Sequence, residues 1–429
     1  MINFISTTRS ASRWFLTVFL ALFFMTTGVS GRVVAPSDLE QRPFPRLAGL
    51  DYSANGYKGP GRVELFSRLD LVILGFWRGW GSNGEMRQFV QKLKAFNPQT
   101  LVGQYLVIGE VFGNVKSGDA DYDKLFKAER ENWWVRDAAG HRVQWTAQYG
   151  AYDINITDWV RPDGNAMRWP EWVANRDVRV FLNPVPEFDF AFLDNVFSKP
   201  RTAGDWDQDG LIDDPKDLRI QKGFRAGHAK NWETLRNLAP GILLVGNVDH
   251  DLDMPEFDGK LDGAFLENLM GRRWSIEELQ GWNEMMRRYA SVLRHTSSPK
   301  LVVFHVSGLV NDFRLFRYAF VSSLLNNGYF AYSSDEKSGG NIPWFDEYDI
   351  KLGMAVDPPQ LAAWRNGIYR RRFDHGMVLV NPTDAVKRVT LEEGYLRFTG
   401  RQAPEINNGT AVRELSIPPK DGIVLMHPH

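Results

Sequence analysis

Short apolar runs alternate with longer segments of helical periodicity along most of the chain. Eight runs have the length and the aromatic and β-branched content of buried strands; they are Leu47–Tyr52, Leu69–Phe76, Thr100–Ile108, Phe188–Leu193, Gly241–Val248, Leu261–Leu266, Lys300–Val306 and Gly328–Tyr332. Between two of them, Gly84–Phe96 has the apolar spacing of an amphipathic helix. Apolar strands that alternate with helices predict an α/β fold, a (β/α)8 TIM barrel of parallel strands.

An open, doubly wound sheet is the alternative to a closed barrel. No glycine-rich phosphate loop follows any of the predicted strands, which disfavours the dinucleotide-binding form of that fold. In a TIM barrel the carboxyl ends of all eight strands meet on one face, where active sites lie. Polar residues at these strand ends are therefore the candidates for function.

The pattern changes near the C-terminus. Leu361–Arg372 has the character of a linker helix or a last barrel helix, and four short β-rich runs follow it from Met377 to His427. This pattern predicts a small C-terminal all-β domain. We expect a barrel domain over residues 32–365 and a β-sandwich over residues 366–429.

The N-terminus has the three zones of a secretory signal peptide. Arg9 and Arg13 precede the uncharged run Trp14–Met25, and small residues follow. The run is shorter than the ~20 apolar residues that cross a bilayer comfortably. We expect residues 1–31 to be removed, which predicts a secreted or periplasmic protein without a stable membrane span; an uncleaved N-terminal membrane anchor is the alternative.

The composition narrows the classes of function. The 429 residues have a formal net charge of -1, so nothing indicates a nucleic acid or an anionic membrane as partner. The chain has no cysteine, which excludes disulfides and thiol chemistry. Its 15 tryptophans offer flat rings that suit sugars, although we expect most of them to pack in the core.

Two nine-residue segments nearly repeat each other. Phe188–Val196 is FDFAFLDNV and Leu261–Leu269 is LDGAFLENL, so Asp194 in the first segment corresponds to Glu267 in the second. The alternation of a strand directs both acids into the barrel mouth, above an aromatic layer. An apolar ring beneath a carboxyl group raises its pKa and favours the acid form.

A pair of carboxyl groups at the mouth of a barrel is what glycoside hydrolysis requires. We assign Glu267 as general acid/base and Asp194 as nucleophile or base. The alternative is that both acids form structural ion pairs or cap the following helices. Carboxyl groups ~5–5.5 Å apart retain the anomeric configuration and groups ~6.5–9.5 Å apart invert it, and the sequence leaves both outcomes open.

Other residues at the predicted strand ends are candidates for binding substrate. Each of them also has a structural explanation, and for His305 this is a buried histidine with satisfied hydrogen bonds. The candidates are Asp51, Trp77, Arg78, Tyr105, Asn247, Asp249 and His305.

The segment DWDQDGLID has the spacing of a calcium loop. Asp205, Asp207, Asp209 and Asp213 occupy its first, third, fifth and ninth positions, and Leu211 offers a carbonyl at the seventh. The twelfth position is lysine instead of the usual glutamate. The segment predicts either a structural Ca²⁺ site or a solvated acidic turn.

With these motifs identified, the chain resembles hypothetical glycosyl hydrolase family 15, a set of TIM-barrel proteins with a small β-domain. The resemblance rests on FAFLDNV, DWDQDGLIDD, DGAFLENL, NNGYFAY, WFDEYDIKLG and MVLVNPT. It implies a barrel with glycosidase chemistry and no particular substrate. The plan is also similar to α-glycosidase barrels that use an aspartate on the fourth strand and a later acid, which by analogy implies retention.

Together these observations predict an exported glycoside hydrolase that cleaves O-glycosidic bonds of a polysaccharide or oligosaccharide. Hydrolysis of this kind needs no cofactor, and calcium would have a structural role only. The alternative from another class is a non-catalytic polysaccharide-binding protein on a degenerate TIM barrel, which would need neither acid.

Overall fold

The computed structural model describes residues 36–51, 60–75, 85–119, 121–249, 251–334 and 342–428. An eight-stranded parallel sheet forms its centre, and each strand pairs with the next strand of the sheet. We number these barrel strands from first to eighth; they are Ala48–Asp51, Leu71–Leu74, Leu101–Val107, Phe190–Val196, Leu243–Val248, Gly263–Met270, Leu301–Gly308 and Tyr329–Ser334.

The sheet closes on itself between its eighth and first strands. Leu47 forms a parallel bridge with Phe330, and the Phe330 amide donates to the Arg46 carbonyl over 2.8 Å. The predicted TIM barrel is therefore confirmed.

Side chains alternate between the barrel interior and the layer beneath the helices, as a two-residue period requires. Phe190, Phe192 and Phe265 lie in the interior cluster, whereas Leu193 and Leu266 lie in the outer one. The interior is tightly filled: a Cβ at position 103 of the third strand would lie 2.1 Å from the Phe190 ring. Only glycine fits there.

Helices cover the outside of the barrel, with one departure from the ideal plan. Between the fifth and sixth strands, the described residues 251–262 form turns and no helix. The helices around the barrel are Pro36–Glu40, Arg62–Ser67, Glu85–Phe96, Leu218–Leu238, Ile276–Gln280, Trp282–His295 and Phe313–Leu324, and the 3₁₀ turn Asp346–Asp349 follows the eighth strand. None of the helices in the described part of the chain is long and apolar enough to cross a membrane.

A long insertion separates the third and fourth barrel strands. It has its own apolar core, built around the buried Trp133, Trp134 and Trp169. Its elements are the antiparallel strands Glu110–Phe112 and Ala151–Asp153, the helices Tyr122–Glu131 and Trp169–Asp177, and the π-helical turn Val178–Leu182.

The C-terminal residues form one continuous five-stranded antiparallel sheet, where the sequence predicted a two-layered sandwich. The expected helix over residues 361–372 is absent, because Asn366 and Gly367 adopt φ values of 50° and 80° and form a tight turn. The strands are Tyr369–Phe373, Gly376–Asn381, Lys387–Arg397, Ala411–Ile417 and Asp421–Met426.

A buried ion pair joins this sheet to the barrel. The Arg317 guanidinium, on the helix before the eighth strand, donates to both carboxylate oxygens of Asp421 over 2.9 and 2.8 Å. Both residues are buried, and apolar side chains of the helix and the sheet surround them. The predicted signal peptide, residues 1–31, lies outside the described residues.

Candidate active site

Asp194 and Glu267 lie at the carboxyl ends of the fourth and sixth barrel strands, on the same face of the barrel. Their side chains have the orientation that strand alternation predicts, since Phe192 and Phe265, two residues earlier, both point into the barrel. Those two rings meet edge to face, with centroids 5.5 Å apart. The carboxyl groups therefore stand above an aromatic floor.

Asn247, at the end of the fifth strand, lies between the two acids and contacts both. Its Nδ2 donates to Oδ1 of Asp194 over 2.8 Å and to Oε2 of Glu267 over 3.0 Å. These two oxygens are therefore separated by at most the sum of 2.8 and 3.0 Å, which is 5.8 Å. One amide group thus fixes the spacing of the pair.

Tyr105, on the third strand, donates a short hydrogen bond from its hydroxyl to Oδ2 of Asp194. Its ring packs against Phe192, with centroids 5.2 Å apart. Burial, together with the charge of Asp194, holds the pKa of Tyr105 well above its usual value. The hydroxyl therefore stays protonated and donates to Oδ2 of Asp194, while Asn247 donates to Oδ1, so both carboxylate oxygens accept hydrogen bonds.

Glu267 has a different environment from Asp194. Part of the Glu267 side chain is exposed to solvent at the mouth. Protein atoms nevertheless surround the carboxyl group closely, and this desolvation raises the pKa of Glu267. The hydrogen bond from Asn247 opposes this rise and the charge of Asp194 adds to it. Of the two acids, Glu267 is the one whose surroundings favour the protonated form.

His305, on the seventh strand, is buried in the barrel interior, where its ring lies 4.8 Å from that of Phe265. Its Nδ1 accepts the Asn268 amide proton over 3.1 Å, and its Nε2 lies 2.8 Å from the Ser333 hydroxyl. Burial lowers the pKa of His305 to about 3, so the ring is neutral. Because Nδ1 is the acceptor, Nε2 carries the proton and donates to Ser333.

The insertion contributes a wall beside Asp194, whose residues do not lie at the predicted strand ends. Trp145 donates its indole proton to Glu110 over 2.8 Å, and the Arg201 guanidinium stacks 3.9 Å above the indole centroid. The Tyr149 ring, 51% exposed, lies 5.6 Å from the Trp145 ring. Burial raises the pKa of Glu110, with the hydrogen bond from Trp145 opposing it. Arg201 interacts electrostatically with both Asp194 and Glu267, so this aromatic and cationic surface borders the carboxyl pair.

The remaining predicted binding residues have structural partners or fall outside the described residues. Asp51 is buried and forms an ion pair with Arg62 over 2.6 Å. Asp249 accepts hydrogen bonds from the amide and hydroxyl of Ser198, over 3.0 and 2.8 Å, and so ties together the loops after the fourth and fifth strands. Trp77 and Arg78 lie outside the described residues. A role in substrate binding stays a prediction for all four: Asp51, Trp77, Arg78 and Asp249.

The acidic loop after the fourth strand brings three of its carboxylates together. Oxygens of Asp205, Asp207 and Asp209 lie within 4.8 Å of one another, and Oδ1 of Asp205 is buried without a hydrogen-bond partner among the described residues. Asp213 is engaged differently, because its Oδ2 accepts the Trp206 amide over 2.8 Å. The donor set suits a hard cation, and the calcium site, with the Leu211 carbonyl, stays a prediction.

Comparison with known proteins adds a family and a fold. The model of a family described as "Hypothetical glycosyl hydrolase family 15" matches residues 94–377. No curated protein matches the chain.

Solved structures of low sequence identity share the barrel. A GH27 β-L-arabinopyranosidase from Geobacillus stearothermophilus matches with a TM-score of 0.51 and 8% identity, over 92% of this chain and 99% of that one. An isomaltulose synthase variant from Erwinia rhapontici, bound to sucrose, matches with a TM-score of 0.51 and 10% identity, over 92% and 100%. The glycoside hydrolase domain of PelA from Pseudomonas aeruginosa matches with a TM-score of 0.43 and 15% identity, over 68% and 96%.

Proposed function

The chain belongs to hypothetical glycosyl hydrolase family 15, and from that premise we propose that it is a retaining glycoside hydrolase. Asp194 acts as the nucleophile and Glu267 as the general acid and base. The bond that is cleaved is an O-glycosidic bond of a polysaccharide or oligosaccharide.

The environments of the two acids support this division of roles. Tyr105 and Asn247 donate to the two oxygens of Asp194, and these hydrogen bonds hold the carboxyl group in place for attack. Desolvation raises the pKa of Glu267, which favours a carboxylic acid ready to protonate a leaving group. The opposite assignment would make Glu267, the acid whose pKa is raised, the nucleophile.

The reaction then follows two steps. Oδ1 or Oδ2 of Asp194 bonds to the anomeric carbon while the glycosidic C–O bond breaks and the leaving oxygen takes the Glu267 proton. Water next attacks the glycosyl ester and gives its proton to the Glu267 carboxylate. This attack releases the sugar and frees Asp194, so both acids return to their starting states.

The observation that carries the proposal is the Asn247 bridge. It limits the distance between the facing oxygens of Asp194 and Glu267 to the sum of 2.8 and 3.0 Å. For these facing oxygens, the upper limit includes the ~5–5.5 Å separation of retaining enzymes and lies below the ~6.5–9.5 Å that an inverting enzyme needs for its water.

The wall formed by Trp145 and Arg201 supports a sugar chain as substrate. A sugar ring presents one apolar face, which suits an indole, and hydroxyls, which suit a guanidinium and a carboxylate such as Glu110. Export through the signal peptide at residues 1–31 would bring the enzyme to extracellular or cell-envelope glycans. Detection of mature protein that begins near Arg32 in a periplasmic or culture fraction tests this part.

The test of the activity is a screen of neutral, amino and acidic polysaccharides for newly released reducing ends. On any substrate that the wild type cleaves, we expect Asp194→Asn and Glu267→Gln each to remove hydrolysis while thermal unfolding stays unchanged. Asp258→Asn is the matched control, because Asp258 lies near the amino end of the sixth strand and contacts His295. Full activity in either active-site variant contradicts the assignment.

The alternative of a non-catalytic binding protein makes a different prediction. If the protein only binds polysaccharide, the wild type and both active-site variants should bind it equally, and none of them should release reducing ends. Binding with cleavage only in the wild type would exclude it.

A further inference from the structure

The residues that follow the two acids, Asn195 and Asn268, share an uncommon backbone conformation. Their φ values are 59° and 53°, in the left-handed region that residues other than glycine seldom adopt. They also occupy matching positions in the two near-repeats, directly after Asp194 and Glu267. Asparagine tolerates this region better than most residues because its short side chain forms local hydrogen bonds.

Each asparagine lies in an irregularity of the parallel sheet. Leu193 pairs with Gly246 and Val196 with Val248, so the fourth strand holds one residue more than its neighbour over this stretch. In the sixth strand, Leu266 pairs with Phe304 and Met270 with Val306, so two residues are extra. A bulge of this kind bends a strand and redirects the side chains beside it.

The packing of the strand ends shows what the bulge achieves. Strict alternation would send Val196 into the barrel, since Phe190 and Phe192 point inward, yet Val196 lies in the outer cluster with Leu193. The extra residue at the bulge therefore resets the alternation. Asp194 can face the mouth while the strand beyond it stays anchored in the outer layer.

Neighbouring groups hold the second bulge from several sides. The Asn268 amide donates to His305, and the Asn268 carbonyl accepts from the Ser275 hydroxyl over 2.7 Å. Its side-chain amide donates to Oε1 of Glu267 over 3.2 Å. At the first bulge, the buried Asn195 forms a side-chain hydrogen bond with Glu110.

We propose that Asn195 and Asn268 are positioning residues, whose left-handed backbone aims Asp194 and Glu267 at the scissile bond. His305 serves the same end, since the buried ring accepts the Asn268 amide proton and so holds the bulge in place. This inference rests on the proposed function and adds to it the residues that set the geometry of the acid pair.

Glycine and alanine variants separate the backbone role from any role of the side chain. Glycine adopts positive φ without steric cost, whereas alanine does not. We expect Asn268→Gly and Asn195→Gly to lower kcat by no more than about tenfold, because the side-chain hydrogen bonds to Glu267 and Glu110 are lost while the bulge survives. Asn268→Ala and Asn195→Ala should lower kcat by about a hundredfold with little change in KM, as a displacement of ~1 Å does.

Asn366 provides the matched control, since its φ is 50° in a turn of the C-terminal sheet. Asn366→Ala should lower the melting temperature as much as the other alanine variants do, with kcat unchanged. Equal activity of the glycine and alanine variants at position 268, whether both high or both low, would overturn the proposal.

The outcome is distinguishable from a failure of the proposed function. If Asp194→Asn keeps full activity, the catalytic assignment is wrong whatever the asparagine variants do. If Asp194→Asn is inactive and Asn268→Ala is fully active, the assignment stands and the positioning role alone is wrong.

Discussion

Replacing Asn247 by alanine removes a group that hydrogen-bonds to both acids. Its amide donates to Asp194 and Glu267 over 2.8 and 3.0 Å, and the bond to Glu267 lowers the pKa of that acid. A hydrogen bond to a charged group contributes ~1.5–3 kcal/mol, and exposure of the mouth to solvent argues for the low end. At ~1.4 kcal/mol per pK unit, loss of this bond should raise the pKa of Glu267 by about one unit.

The sign of the effect follows from the role of Glu267. This acid must be protonated to donate to the leaving group, so its higher pKa moves the descending limb of the kcat/KM profile to higher pH. We expect this limb to shift upward by about one unit.

The assay is the pH dependence of kcat/KM for Asn247→Ala and the wild type on the same substrate. At a pH above the descending limbs of both enzymes, the variant should retain about ten times the fraction of its own maximal kcat/KM that the wild type retains. Asn283→Ala is the control, because Asn283 is exposed and accepts a hydrogen bond from Tyr369 of the C-terminal sheet. A descending limb that is unshifted, or displaced to lower pH, would refute the reasoning.

Three further predictions concern the nucleophile, the domain contact and the acidic loop. Tyr105→Phe keeps the ring packing and loses the donor to Asp194, so we expect kcat to fall about tenfold at unchanged thermal stability. Steady-state kinetics and a melting curve test this, and an unchanged kcat would contradict it. Arg317→Met leaves Asp421 buried without its partner and should lower the free energy of unfolding by ~3–5 kcal/mol, measured in urea; a loss below ~1 kcal/mol would mean that the ion pair does not hold the C-terminal sheet in place. If the acidic loop binds calcium, millimolar Ca²⁺ should raise the melting temperature of the wild type and leave Asp205→Ala unaffected; equal curves with Ca²⁺ and with a chelator would show that the loop is a solvated turn.

The near-repeat predicted more of the site than any other part of the sequence. Strand alternation was sufficient to place Asp194 and Glu267 on one face. In both copies, the phenylalanine two residues before the acid points into the barrel. The same two copies also share Asn195 and Asn268, which the sequence argument did not use. A bulge depends on the register of the neighbouring strand, and no single strand contains that information.

Other features depended on contacts between distant segments. Trp145 and Arg201 lie in an insertion and a loop, so a search of strand ends could not find the wall that they form. His305 stood at a predicted strand end and was a candidate for substrate, whereas the structure buries it against Asn268. Asn366 and Gly367 form a turn where helical periodicity suggested a helix, since apolar spacing alone does not exclude positive φ values.

The central claim is that Asp194 becomes covalently bonded to the sugar during each turnover. Mass spectrometry of the peptide that contains Asp194, after reaction with the 2-deoxy-2-fluoro glycosyl fluoride matched to the cleaved substrate, tests it most directly. We predict one added fluoroglycosyl unit on Asp194 and none in the Asp194→Asn variant. Hydrolysis of the substrate with no adduct on this peptide, and with inverted anomeric configuration in the product, would contradict it.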